Sequence, residues 1–280
     1  MPPPGSRVHR GLVAGAALLA VFALAAVLAP WLAPHDPLAV ADASTPVALQ
    51  PPSARHLLGT DALGRDILAR VLFGGRVSLA VGVGVELVVV ALGSVIGLLA
   101  GYYGGGLDAT LMRVTDVVMA FPSLVLAIGL IAVFEAPGLA NVFLVLILLG
   151  WTTIARVVRG TVLTLKTRDY VQAARAIGAR DRTILVRHVL PNALGPLLVA
   201  ATLGVGGNMV AEAGLSFLGL GSQPPTISWG AMLADGQSDL MTAPWAAVFP
   251  GLALLLAVLG VNLVGDGLRD QLDPRTGGER

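Results

Sequence analysis

No cysteine occurs among the 280 residues. That excludes a disulfide framework and any thiolate metal or redox centre. Charge is scarce as well: 12% of residues are charged, against roughly 25% in an ordinary soluble domain. The formal net charge is +1, far from the basic excess a nucleic-acid binder needs. Lysine is nearly missing, with Lys166 alone beside 17 arginines, a bias we read as genome base composition. What fills the chain instead is apolar: 55% hydrophobic residues and a mean hydropathy of +0.81. A globule of this length cannot hide so much apolar surface and stay wettable. A disordered or collagen-like chain is equally excluded. The composition points to an integral membrane protein.

A lipid-spanning helix needs about 20 mostly apolar residues. Six stretches qualify: 11–33, 77–103, 117–134, 139–155, 193–220 and 244–264. Glu86 interrupts the second and Glu212 the fifth; Glu135-Ala136-Pro137-Gly138 separates the third from the fourth. Many of the 35 glycines lie inside these runs, where small residues let helix backbones approach closely. The first run follows Arg7 and Arg10, as a signal peptide would. Its 23 apolar residues exceed the usual signal core, and proline follows each candidate cleavage residue, so it is expected to remain as a span. The expected organisation is a first span plus extracytoplasmic loop (1–76), a five-span core (77–266) and a short tail (267–280).

Orientation follows from the basic residues of the short loops. With the N-terminus in the cytoplasm, fourteen basic residues fall on the cytoplasmic side, eight of them between Arg156 and Arg187. Four fall outside: Arg55, Arg65, Arg70 and Arg76. Both termini are therefore expected in the cytoplasm.

The loop at 161–192 is the one long charged cytoplasmic segment, and it reads as two short helices. Thr167 or Asp169 can cap the first, and Tyr170, Ala173, Ala174 and Ile177 then share one face at helical spacing. Gly178 supplies a stop, because glycine accepts the left-handed conformation that ends helices. Asp181 can cap the second, with Ile184, Leu185 and Val189 as its apolar side and Pro191 closing it. Such an amphipathic elbow can pack on its own membrane helices, lie on lipid headgroups or dock in a groove of a soluble partner. Periodicity alone does not choose among these. His188 stands beside Arg187 with no second ligand nearby, so packing or capping is its expected role.

A resemblance favours the last of these. Gln172-Ala173-Ala174, three residues, Gly178, nine residues, His188, one residue, Leu190-Pro191 resembles the EAA signature of ABC importer permeases. The spacing is kept; Gln172 stands where that pattern has an acid and His188 where it has an apolar residue. Three further stretches resemble the C-type subunit of the dipeptide/oligopeptide/nickel permeases. They are His56-Leu-Leu-Gly-Thr-Asp61-Ala-Leu-Gly-Arg65-Asp66 with Gly75-Arg76-Val-Ser78, Ala211-Glu212-Ala-Gly-Leu-Ser216-Phe-Leu-Gly-Leu-Gly221 with Pro224-Pro225 and Trp229-Gly230, and Gly265-Asp266-Gly267-Leu268-Arg269-Asp270 running to Asp273-Pro274-Arg275. Together they span about residues 10–275. The resemblance implies an all-α integral membrane protein of six transmembrane helices with the type I importer permease fold, in a bacterial or archaeal plasma (inner) membrane. It implies that Tyr170, Gln172, Ala173, Ala174, Ile177, Gly178 and Pro191 belong to a coupling helix seated in a cytoplasmic ATPase. It also implies the partners: a second homologous permease, two ATP-binding subunits carrying ATP and Mg, and an extracytoplasmic substrate-binding protein.

Two carboxylates lie well inside spans. An ionised group at mid-bilayer costs about 2.5–3.5 kcal/mol on insertion scales and usually faces a bundle interior or a wet cavity. Glu86 and Glu212 are each either a pathway group that attracts a peptide amino terminus or a hydrogen-bonded strut. Asp61, Arg65 and Asp66 are either a contact for the binding protein or part of a helix capped by Thr60 or Asp61 at the outer surface, with Leu63, Ile67, Leu68 and Val71 turned to apolar surroundings. Trp229 and Trp245 are expected at the outer interface.

No phosphate-binding Gly-x4-Gly-Lys-Ser/Thr loop, no His-Glu-x-x-His and no Gly-x-Ser-x-Gly is present. No catalytic residue, metal ligand or bound cofactor is expected in this chain, and ATP hydrolysis is expected in another. The competing classes are a secondary transporter or channel, which would show charge relays or an inverted repeat, and a membrane-embedded enzyme, which would show a clustered acid, base or metal set. For an importer the solute is expected to be a dipeptide or oligopeptide, with nickel and glutathione as alternatives.

Overall fold

The computed structural model describes residues 4–40, 48–134 and 137–272. Apart from one isolated antiparallel bridge between Thr60 and Asp66, the regular structure among them is helical. Helix α1 covers Pro4–Val27 and α2 Ala29–Leu32, followed by an irregular segment that leads to α3, Ile67–Tyr103. Then come α4 (Gly105–Met119), α5 (Ser123–Val133) and α6 (Leu139–Leu165). The elbow holds α7 (Asp169–Ala176) and α8 (Asp181–Ile184), and a π turn at Leu185–Val189 runs into α9 (Leu190–Phe217). Helices α10 (Trp229–Gly236) and α11 (Trp245–Leu272) complete the chain. Five helical segments are long and apolar enough to cross a membrane, or six if the bent pair α4–α5 counts as one crossing.

The structure corrects several expectations, three of them about where helices begin and end. The third span is not a continuous helix: α4 and α5 meet at 89°. Pro122 lacks an N–H and drives the preceding Phe121 out of helical geometry, so α4 stops at Met119 and α5, of 11 residues, starts afresh. Next, Pro191 does not close a helix. Helical structure runs from Asp181 to Phe217, because the π turn ahead of Pro191 makes room for its ring; the Leu190 N–H reaches back five residues to the Leu185 carbonyl. Finally, no helix starts at Thr60 or Asp61. Helix α3 begins at Ile67 under an Asp66 cap that accepts from the Ala69 N–H at 2.8 Å. The expected boundaries at 76/77 and 266/267 thus fall inside α3 and α11. Of the residues singled out in the sequence, Glu135, Ala136, Asp273, Pro274 and Arg275 lie outside the described residues.

Helix α3 is the mast of the fold. At about 1.5 Å per residue its 37 residues reach ~55 Å, beyond the ~30 Å hydrocarbon thickness. It packs most extensively on α6, through Gly93, Gly97 and Gly101, one turn apart. A Cβ on Gly93 would lie 2.6 Å from the Ile154 Cβ, and one on Gly97 would lie 2.8 Å from the Val158 Cβ. Without hydrophobic attraction between helices in lipid, this close approach supplies the dispersion contacts that hold the pair. A second cluster joins α3, α9, α10 and α11 around Trp229. Trp229 is packed into the protein core: it is 1% exposed, its indole N–H donates to the Val71 carbonyl at 2.9 Å, and Phe22 of α1 meets its ring edge-on. Trp245 is half-buried and donates to the Thr60 carbonyl at 3.1 Å.

Candidate functional site

The elbow between α6 and α9 is built from local rules. Helix α7 ends where Gly178 adopts φ +79°. The Ala179 N–H bonds to the Ala174 carbonyl and the Gly178 N–H to the Arg175 carbonyl, the paired pattern of a Schellman motif. Neither expected N-cap is used. Thr167 donates its hydroxyl to the Thr164 carbonyl, and Asp169 is already the first helical residue. Asp181 does not cap α8 either; its carboxylate accepts from the Tyr102 hydroxyl at 2.6 Å. That bond, with Arg175 lying 5.5 Å over the Tyr102 ring, ties the elbow to the end of α3. Gln172 adds a further brace by donating to the Lys166 carbonyl at 2.8 Å, a bond an ionised glutamate could not make because it has no donor. Lys166 in turn donates to the Gly101 carbonyl at 2.8 Å.

The elbow's apolar residues divide onto two faces. Val171, Ala174, Ile184 and Val189 are buried in the main core, so Ala174 belongs to the inner face and not with Tyr170. Tyr170, Ala173, Ile177 and Gly178 stay exposed, Ile177 at 85%. Pro191 is also exposed. A Cβ built on Gly178 meets nothing within 4 Å. Arg168, Arg175, Arg180, Arg182 and Arg187 surround this strip, all exposed. His188 packs half-buried in the π turn, and its carbonyl accepts from the Asn192 amide.

A cavity of about 990 Å³ opens between α3, α4–α5, α6 and α9. Its wall is largely apolar, with Val89, Met119, Phe121, Leu124, Leu146 and Leu215, plus the Thr152 and Thr153 side chains. Glu86 lies in this wall, 4% exposed. The Asn208 amide donates to its Oε2 at 2.8 Å, while Oε1 has no hydrogen-bond partner among the described residues. Gly204 makes room for the carboxylate against the α9 backbone. Asn208 is not among the residues expected here, although an amide inside the fifth apolar run is a legible signal.

Glu212 sits elsewhere. It is fully buried, accepts from the Ser216 hydroxyl at 2.7 Å and lies 3.4 Å from that of Ser78. Ser78 also accepts from the Trp229 backbone N–H at 3.2 Å. Glu212 thus joins α3, α9 and α10 and does not line the cavity.

At the end of the molecule opposite the elbow, Asp61, Arg65 and Asp66 form bonds within the chain. Asp61 accepts from the Leu63 and Arg65 N–H groups and from the Arg65 guanidinium at 2.7 Å. Arg65 and Arg70 each reach Asp235 of α10 at 3.0 Å. Asp66 is buried under His56 and His35.

Known proteins share this architecture. Residues 93–278 match the family described as binding-protein-dependent transport system inner membrane component. Residues 7–52 match the N-terminal TM domain of oligopeptide transport permease C. The chain is 45% identical over 269 residues to the glutathione transport system permease protein GsiD of Pectobacterium atrosepticum, covering 96% of this chain and 88% of that one. It is 46% identical over 267 residues to a putative peptide transport system permease protein of Brucella abortus, covering 95% and 88%. Its fold is similar to a chain of the inward-facing MetNI methionine ABC transporter, with a TM-score of 0.62 at 20% identity over 73% of this chain and 96% of that one. The expected six-helix importer fold is thereby supported, and the chain belongs to the family of binding-protein-dependent transport system inner membrane components, as a permease subunit of an ABC importer.

Proposed function

We propose that this permease imports peptides, forming half of a translocation pathway with a second homologous permease. Two cytoplasmic ATPases carry ATP and Mg and do the hydrolysis; this chain contributes the pathway and the lever. An extracytoplasmic binding protein delivers the solute. The elbow faces the cytoplasm with both termini, in keeping with its crowd of arginines. The observation that carries the reading is the bare strip of Tyr170, Ala173, Ile177 and Gly178 on an elbow braced from within by Tyr102, Gln172 and the buried Val171. A rigid lever with an unpartnered apolar face is suited to a groove in an ATPase. ATP-driven closure then shifts an inward/outward equilibrium by differential binding to the two states. Asp61, Arg65 and Asp66 would contact the binding protein through the loop they hold in shape, on which Leu57 and Leu63 are exposed.

The test is Gly178→Trp in the assembled importer. The positive φ costs a side chain roughly 1–2 kcal/mol, and the indole enters open space and not the permease core. The permease should insert normally while uptake falls at least about tenfold, the equivalent of 1.4 kcal/mol. Unchanged uptake would remove the coupling role. Co-purification separates the classes: an importer permease brings down ATPase subunits, a secondary transporter or channel none.

For the solute, the half-bonded Glu86 carboxylate in a mostly apolar cavity favours a compact cationic group such as a peptide amino terminus. Glutathione, the solute named for one relative, also bears a free amine; nickel import has no such support here. Glu86→Gln should reduce uptake of a free dipeptide and leave that of its N-acetylated form unchanged. Equal loss for both would make Glu86 a strut.

A further inference from the structure

We propose that His35, His56 and Asp66 form a binding site for a divalent transition cation of the zinc class, which staples the segment after α2 to the start of α3. The sequence marks no metal ligand, because the three residues stand apart along the chain and carry no recognisable spacing. Folding brings them together. The Nδ1 atoms of His35 and His56 lie 3.1 Å and 2.8 Å from the same Asp66 oxygen, Oδ2. All three ligand atoms lie within 4.8 Å of one another. The two imidazoles face each other with centroids 4.7 Å apart and planes tilted by 33°.

The ligand chemistry fits. Two imidazoles and one carboxylate suit zinc and its neighbours, and calcium or magnesium would demand more oxygen ligands. Tetrahedral bonds of about 2.0–2.1 Å would hold adjacent ligand atoms ~3.3 Å apart, so the two nitrogen–oxygen spacings of 3.1 Å and 2.8 Å need to open by only a few tenths of an ångström, and the third pair of ligand atoms already lies within 4.8 Å. In the neutral rings the Nδ1 proton moves to Nε2, which frees the Nδ1 lone pair for the cation without net proton release. Asp66 is pre-oriented for a single bond. Its Oδ1 accepts from the Ala69 N–H as the α3 cap, leaving Oδ2 aimed at the two rings. That is the supporting hydrogen bond that fixes a metal-binding carboxylate. His56 is held by the bond from its backbone N–H to the Ser53 hydroxyl. The His35 side chain is 36% exposed while those of His56 and Asp66 are buried. The site therefore has one open side, by which a cation enters and at which a water completes four-coordination. The consequence is mechanical. His35 follows α2 and Asp66 starts α3, so the cation would join the peripheral first helix to the central mast.

The experiment uses the full chain in detergent, purified through a tag without histidine and stripped with a chelator. Zn2+ alone is titrated by calorimetry, and Co2+ serves as the visible-absorption probe. The wild type should bind one Zn2+ per chain and show the d–d bands of a four-coordinate nitrogen/oxygen site. His35→Gln, at the half-exposed position where folding is least at risk, should weaken binding at least tenfold and abolish those bands; His56→Gln should do the same. The His9→Gln/His188→Gln double variant removes the other two histidines and should bind like the wild type. No stoichiometric Zn2+ in the wild type, or wild-type binding by His35→Gln, would overturn the proposal. So would loss of binding in the double variant with retention in His35→Gln.

Discussion

The two ends of the molecule both carry dense charge, yet they spend it differently. At the far end, Asp61, Arg65, Arg70 and Asp235 close on one another, and Asp66 binds two histidines. At the elbow, Arg168, Arg180, Arg182 and Arg187 are exposed beside an apolar strip that nothing among the described residues covers. Charge density therefore does not mark a docking surface in this protein. What differs is how the charge is used: the far end's polar groups bond to each other and hold the segment ahead of α3 in shape, with Leu57 and Leu63 exposed on it, whereas at the elbow the apolar strip itself is the bare surface.

That contrast can be broken by substitution, with effects that should fall in order. Arg70→Ala should cost most. It removes a buried side chain that reaches Asp61 and Asp235; Arg65 still pairs with both acids, so the cost is that of emptying a large buried side chain, about 2–5 kcal/mol. A large fall in the detergent melting temperature is the readout; an unchanged one would mean the far end is no more tightly built than the elbow. Tyr102→Phe comes next. It deletes the hydroxyl that holds the Asp181 carboxylate, a hydrogen bond to a charged group worth about 1.5–3 kcal/mol, and should loosen the elbow selectively, seen as faster amide exchange across 169–184. Gln172→Glu restores the acid of the EAA pattern and loses the bond to the Lys166 carbonyl, at about 1 kcal/mol. A stability rise would show that the amide bond is not a brace. Ile177→Ser should be smallest for the isolated permease, within about 0.5 kcal/mol as for ordinary surface changes, yet it should reduce capture of ATPase subunits. Loss of stability without loss of capture would reverse the comparison.

Much of this was legible in the sequence where a local rule sufficed. The apolar runs showed the membrane helices, and Gly178 showed the end of α7, because positive φ is a property of one residue. The buried side of α8 was visible in Ile184 and Val189. Proline was harder. Pro122 broke a span that hydropathy had made continuous, whereas Pro191 broke nothing, since a wider turn accommodated its ring. Whether a proline ends a helix depends on the room around it, and hydropathy does not report that. Ala174 and Tyr170 were assigned one face by spacing, but eight residues of helix leave that division to the surface beneath.

Glu86 and Glu212 looked alike in sequence: one acid in each of two apolar runs. The amino-acid string by itself determined that each must find compensation, because an ionised group cannot rest in hydrocarbon. It likewise determined the helices, the breaks available to them and the membrane as their solvent. Tertiary structure decided which compensation each acid receives, a shell of serines for Glu212 and a single amide beside a cavity for Glu86. It also decided that two histidines and an aspartate distant along the chain should converge on one point. The physical reason is the range of the forces involved. Helix formation and lipid burial act within one segment, while a hydrogen bond or a metal ligand set needs atoms within a few ångströms, and only packing brings distant segments that close.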